Sequence, residues 1–246
     1  NVRELFASYD FVMGNLEGPV TSTSSVSVGT VPGDVNNMRF TFSHSLSKIL
    51  QDTGIDMVSL ANNHILDFGI AGFLETTNAL AKAGVGWVGN PYEKKDNLRY
   101  FERDGIVFAV VSYNQFLGPG LTPTLDNIRE AKTRADVVIV YSHWGDEYAD
   151  SALPYIQSLA HSFVDAGADL IIGAHPHVVQ PYETYSGKRI YYSLGNFVFD
   201  QYWNKEVRCG VALDVHIEKR GGSVRYTFFY IETASTRSGE VVLGCS

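Results

Sequence analysis

Cysteine is scarce in this chain: two residues, Cys209 and Cys245, among 246. There is no C-x-x-C pair, so neither a cysteine-rich zinc site nor a thioredoxin-type redox site has support. The two thiols are compatible with one disulfide or with two separate buried thiols. Positive charge is also short, with 19 Lys and Arg against 27 Asp and Glu and a net charge of −8. A chain this acidic has no electrostatic basis for binding nucleic acid or an anionic membrane surface. An anionic substrate would need local help from a cation. No apolar run approaches the ~18 residues of a membrane span. Repeats and low-complexity tracts are absent. So are the G-x-S-x-G elbow and the G-x-x-x-x-G-K-[ST] phosphate loop. Gly84–Gly89 does spell G-x-G-x-x-G. It follows a helical pattern rather than a strand, with Pro91 close behind, which excludes a dinucleotide fingerprint. The opening NVRELFASYD has neither a starting Met nor the pattern of a signal peptide, and reads as a mature or trimmed chain without signal or anchor.

What is present reads as one domain over residues 1–246, long enough to bury a sizeable core. The first two thirds alternate strands and helices. Strands are expected at Phe11–Gly14, Met57–Leu60, Ile106–Val111, Val137–Tyr141 and Leu170–Ile172. Helices are expected at His44–Thr53, Ile70–Ala83, Leu125–Arg134 and Leu153–Ala166. Phe73, Leu74 and Leu80 mark the inner face of the second helix, and Gly84 fits its C-cap. Leu153, Ile156, Leu159, Ala160, Phe163 and Val164 share one face of the last. Strands then follow one another: Ile190–Leu194, Val207–Ile217, Ser223–Ile231 and Val241–Leu243. Alternating units followed by consecutive strands predict an α/β fold with a mixed sheet system and helices outside. Gly18–Asn37 is long and irregular, a candidate gate for any site nearby.

The chemistry-bearing residues follow the strands. The first strand runs into Asn15-Leu16-Glu17, the second into Asn62-Asn63-His64, and Val137–Tyr141 into His143 and Glu147. Leu170–Ile172 runs into His175-Pro176-His177, and Ile190–Leu194 into Asn196. Ligands of α/β sheets bind beyond the carboxyl ends of strands, and parallel strands gather those ends on one edge. Pro176 biases His175 towards an extended backbone, which aims His175 and His177 to one side. Four of the seven histidines sit after such strands. His44, His161 and His216 read as structural. Asp146 and Glu147 read as a solvated turn or as support for His143. Imidazoles mixed with a carboxylate and an amide oxygen point to Zn, Mn or Fe rather than an all-oxygen Ca or Mg cage.

Taken in order, the blocks NLEGPVT, SLANNHILDFG, VIVYSHWGDEY, GADLIIGAHPHVVQPYE and YYSLGNFVFDQ resemble the bacterial capsule synthesis family of CapA-type proteins, linked to poly-γ-glutamate capsules. The resemblance covers roughly residues 9–215. It implies a calcineurin-like metallophosphoesterase fold: a four-layer α-β-β-α sandwich of two mixed sheets. It also implies a divalent transition-metal centre, two ions of Mn, Zn or Fe. Glu17, Asn63, His143, His175 and His177 would be the ligands. His64, beside Asn63, would be the catalytic acid or phosphate contact, and Glu147, Glu183 and Asn196 would support the site or touch substrate. The implied roles are phosphoester hydrolysis or, alternatively, non-catalytic handling of an anionic γ-glutamyl polymer at the cell envelope or exterior. Other capsule-synthesis membrane proteins are the implied partners. The family pattern opens with a strand ending in Gly-Asp, whose Asp ligates metal. This chain opens at Asn1, within the following helix, so the implied site lacks that ligand.

Overall fold

Runs of three to nine residues rich in Val, Ile and Tyr make most of the strands, and all but one of the parallel neighbours are reached through a helix, because parallel strands cannot be joined by a tight turn; the exception, β7 to β9, passes through the edge strand β8. A computed structural model describes residues 2–25, 39–235 and 241–245. After a short helix α1 (Val2–Phe6), a parallel sheet of order β1-β2-β3 is built from β1 (Met13–Asn15), β2 (Met57–Ser59) and β3 (Gly86–Val88). Helices α2 (Ser45–Thr53) and α3 (Gly69–Ala83) connect its strands. A second sheet comprises β4 (Leu98–Arg103), β5 (Ile106–Asn114), β6 (Val137–His143), β7 (Leu170–Ala174), β8 (Tyr182–Tyr185) and β9 (Lys188–Tyr191). Its order is β4-β5-β6-β7-β9-β8, with parallel pairing from β5 to β9 and antiparallel strands at both edges. Helices α4 (Leu121–Lys132) and α5 (Pro154–Ala166) are its crossovers. A short helix α6 (Lys205–Arg208) leads into an antiparallel sheet of β10 (Cys209–Arg220), β11 (Ser223–Ser235) and β12 (Val241–Leu243). The fold is mixed α/β with parallel and antiparallel sheets, as the sequence pattern predicted.

Alternation along the strands decides what packs where. Ala109 and Val111 of β5 join Val138, Val140 and Ile171 under Ile128 of α4 and Ile156, Ala160 and Phe163 of α5. Val110, between the first two, faces the other way and packs with Tyr141 against Met57 and Val88 of the first sheet. Val58 and Leu60 contact Phe73 and Leu80 of α3. Gly84 caps α3 in the left-handed conformation at φ 73°, as expected. Leu74 does not belong to the inner face: it is 52% exposed. Its place is taken by Thr76, three residues after Phe73, whose hydroxyl accepts from the buried N–H of Val20 at 2.8 Å. α4 begins four residues before the predicted Leu125, because Pro123 falls in the first turn, where no N–H is missed. β3, β4 and β8 were not legible as strands. Residues 26–37 of the irregular segment lie outside the described residues. Among the described residues no helix is long and apolar enough to cross a membrane.

Gly173 explains why the apolar run of β7 ends in glycine. A Cβ there would stand 2.0 Å from the Tyr192 carbonyl oxygen and 2.6 Å from Trp144 Nε1. Trp144 Nε1–H donates to that same carbonyl at 2.9 Å. The obstacle is backbone, so no rotamer change relieves it. Gly173→Ala is expected to cost at least about 2 kcal/mol, read as a lower midpoint in urea unfolding.

Cys209, the first residue of β10, is bonded to Cys245, 36 residues on. A titration of unfolded, unreduced protein is expected to find no free thiol, and Cys245→Ser to cost about 3 kcal/mol from the freed unfolded chain.

Candidate metal centre

β6 ends at His143 and β7 at Ala174, paired in parallel with His143 opposite Ala174. The strand ends therefore deliver His143 and His175 side by side, with ring centroids 4.8 Å apart. β1 and β2 contribute from the first sheet: Glu17 lies two residues after β1, and Asn63 and His64 lie in the turn after β2. The expected convergence of Glu17, Asn63, His64, His143, His175 and His177 is what the structure places together. Glu17 Oε1 stands 3.7 Å from both His143 Nε2 and His177 Nε2. Asn63 Oδ1 is 2.7 Å from His143 Nε2.

Two overlapping groups have the spacing of metal-ligand sets. One is Glu17, His143 and His175; the other is Glu147, His175 and His177. Within each, candidate ligand atoms lie within 4.8 Å of one another, and His175 belongs to both. Three buried atoms of the first group, Glu17 Oε1, His143 Nδ1 and His175 Nδ1, have no hydrogen-bond partner in the protein. Buried lone pairs without partners cost free energy, and a cation is one way to satisfy them.

The electrostatics point the same way. Burial, then the neighbouring His175, His177 and His64, holds the His143 imidazolium well below its ordinary range. Burial, then His177 and His64, lowers His175 to about 4. Both are neutral bases at pH 7, the form that binds metal. Burial raises Glu17, His177 and His64 oppose that shift, and Glu147 adds to it. A carboxylate buried beside neutral bases is short of positive charge.

Side-chain amides aim these groups. Asn15 Nδ2 donates to Glu17 Oε2 at 3.0 Å, which leaves Oε1 turned to the histidines. Asn62, fully buried, donates to Asn15 Oδ1 and the Leu16 carbonyl and accepts from the His64 N–H. His177 Nδ1 lies 2.8 Å from Asn196 Oδ1. Asn196 is thus the support the sequence suggested. His64 Nδ1 is 3.0 Å from Asp67 Oδ2, and Asp67 also accepts from the Phe40 N–H. The sequence assigned no role to Asn15, Asn62 or Asp67. The only signal was their place inside the same strand-end blocks.

Three expectations are corrected. His175 is not extended: its φ is 101° and that of His177 is 60°. Both residues sit in the left-handed region that L side chains rarely adopt, and the turn is held by its surroundings. Tyr148 N–H donates to the Pro176 carbonyl at 2.8 Å, and Gln180 Nε2 to the Ala149 carbonyl at 2.8 Å. The two imidazoles converge through a strained turn, not through strand alternation. Glu147 supports no contact to His143 and stands instead with His175 and His177. Glu183 is not brought to the cluster. It lies on β8, within 2.9 Å of His161 Nε2, and accepts from the Tyr192 hydroxyl. His161, read as structural, fills that role, stacked on Tyr185 with centroids 3.8 Å apart.

Asp67 joins His64 to the chain at Phe40. Asp67→Ala is expected to cost about 1–3 kcal/mol in urea unfolding and to release the His64 ring, seen by NMR as loss of its single Nδ1-protonated form.

Comparison with known proteins identifies the family and the fold. The family model of the bacterial capsule synthesis protein PGA_cap matches residues 1–201. The PGA biosynthesis protein CapA of Bacillus subtilis is 34% identical over 237 residues, covering 89% of this chain and 61% of the relative. The capsule biosynthesis protein CapA of Bacillus anthracis is 32% identical over 244 residues, covering 91% of this chain and 58% of the relative. The chain thus spans about three fifths of the length of these two relatives. A crystal structure of a hypothetical protein from Thermus thermophilus shares the fold at a TM-score of 0.58 and 17% identity, covering 94% of this chain and 91% of that one. With the strand-end blocks, the gathered histidines and the matched residues in agreement, this chain belongs to the bacterial capsule synthesis protein family.

Proposed function

We propose that the site is a metal-dependent phosphoesterase centre that serves poly-γ-glutamate capsule biosynthesis. The observation that carries the reading is the pair of overlapping ligand groups that share His175, with three buried donor atoms lacking partners. Glu17, Asn63, His143 and His175 would hold one divalent transition metal, and Glu147, His175 and His177 a second, drawn from Mn, Zn or Fe. Such ions supply a Lewis acid for phosphoryl oxygens and a bound water of lowered pKa. The packing of helices outside two facing sheets supports the four-layer metallophosphoesterase arrangement.

The protein's own groups then have defined tasks. Glu17 is turned by Asn15 so that one oxygen faces the imidazoles. Asn63 Oδ1 and His143 Nε2 stand 2.7 Å apart in a hydrogen bond, and a cation that displaced its proton would take a lone pair from each. His64 is held through Nδ1 by Asp67. That leaves Nε2 to carry a proton to the leaving oxygen. Phe40 packs on His64 at 4.3 Å and Phe199 on His177 at 4.7 Å, limiting water around both rings.

The names of the relatives favour a second reading, in which the same metals bind the carboxylates of a γ-glutamyl polymer without turnover. Either role fits a location at the cell envelope or exterior, beside other capsule-synthesis components.

Metal-stripped protein is expected to gain about 2.7 kcal/mol of stability at a Mn or Zn concentration of 100 Kd. His175→Ala, which damages both groups, should abolish that gain. His64→Gln should keep the metal and lose about 10²–10⁴ in hydrolysis of an aryl phosphoester. Metal-dependent binding of polyglutamate without phosphoester turnover would select the second reading. A wild-type protein that binds no metal would sink both.

A further inference from the structure

The loop between β9 and β10 carries Gln201, the last residue of the block YYSLGNFVFDQ, to which the sequence assigned no role. Val207 offers a backbone carbonyl, which can only accept. Asn196 Nδ2 donates to it at 2.8 Å. That single contact fixes which way the Asn196 amide points, so Oδ1 faces His177 and can only accept from it. His177 Nδ1 therefore carries a proton, and Nε2 keeps its lone pair towards Glu17 Oε1. The second hydrogen of Asn196 Nδ2 goes to Gln201 Oε1 at 3.0 Å. This fixes the Gln201 amide in turn, and its Nε2 donates to the Tyr148 hydroxyl at 3.0 Å. Tyr148 adjoins Glu147 in the chain.

The donors run in one sense, from His177 through Asn196 and Gln201 to Tyr148. His177 at one end and Glu147, the neighbour of Tyr148, at the other are members of one candidate ligand group. His177, Asn196 and Gln201 are buried, at 5%, 5% and 8% exposure, so water does not compete for the bonds among these three, while Tyr148 reaches the surface at 42% exposure. Hydrogen bonds aligned head to tail in a dry site reinforce one another.

We propose that Gln201 is a positioning residue: it closes a one-way hydrogen-bond chain that ties His177, in its Nδ1-protonated form, to the loop bearing Glu147, and so presets the distance between two ligands of the second metal. The inference rests on the metal reading above. Metal-binding imidazoles owe their orientation to the partner of the other ring nitrogen, and loss of such a partner typically weakens metal affinity about 10–100-fold. Gln201 acts one bond further out and on two ligands at once.

The test compares the wild type with Gln201→Met, which keeps the volume and removes the hydrogen bonds, and with Tyr148→Phe, which removes only the next link. Two quantities are read: the His177 ring N–H by NMR without metal, and the Mn or Zn dissociation constant. Thermal unfolding checks that each variant is folded. The expected result is a protected Nδ1–H on His177 in the wild type that exchanges faster in Gln201→Met, where Asn196 keeps only its Val207 anchor. Metal affinity should fall about tenfold in each variant and no further in the double variant, because both break one chain. Unchanged exchange of the Nδ1–H with full metal affinity in Gln201→Met overturns the inference alone. Additive losses in the double variant overturn the single chain. A wild type that takes up no metal overturns the functional reading and the inference together. A Gln201→Met variant that does not fold is replaced by Tyr148→Phe, for which unchanged metal affinity is the overturning result.

Discussion

β6 and β7 pair in parallel with His143 opposite Ala174, and this register sets where the first two imidazoles meet. Strand side chains alternate, so a slip of one residue would send His143 to the opposite face and bring Trp144 in its place. Gly173 guards that register from the other side, since only a residue without Cβ lets the Tyr192 backbone approach so closely. The first sheet then needs only to supply a carboxylate and an amide from its own strand ends. Met57 and Val88 packed on Val110 and Tyr141 hold the two sheets at the distance that allows it.

The site concentrates bases in a dry space. His143 is nearly fully buried, and burial pushes its proton off before the neighbouring histidines add their share. Glu17 feels the same burial with the opposite consequence. Left alone, such a group of atoms is costly to bury. The protein limits the cost with amides: Asn15 donates to one oxygen of Glu17 and leaves the other free, Asn196 meets Nδ1 of His177 and leaves Nε2 free, and Asn62 holds Asn15 in place. Amides suit this task because they carry both donors and acceptors and do not titrate.

Much of this was legible from residue order. Amphipathic spacing marked α5 and its buried Ile156, Ala160 and Phe163. The five strand-end blocks by themselves pointed to His64, His143, His175 and His177, and the family resemblance singled out Glu17 and Asn63 among their neighbours. Other features were hidden for identifiable reasons. β3 is three residues long, begins with glycine and becomes a strand only because β2 is there to pair with it. β8 alternates exposed and half-buried residues and has too little apolar content to show. Leu74 follows Phe73 on a helix, and adjacent residues are turned about 100° apart, so one of the two had to leave the core. Glu183 stood in a family block, yet its strand faces His161 and Tyr192 rather than the histidine cluster.

Sequence alone determined which chemistry was available. Four histidines, a carboxylate and several asparagines placed just after apolar strands form one cluster of bases and amides when the strand ends are gathered. Tertiary structure decided how they are aimed. The left-handed turn at His175 and His177, the transfer of Glu147 from His143 to the other pair, and the amide chain through Gln201 depend on contacts between segments far apart in the chain. Hydrogen bonds between loops and the strain they hold in place are properties of the packed molecule, and no local pattern of residues encodes them.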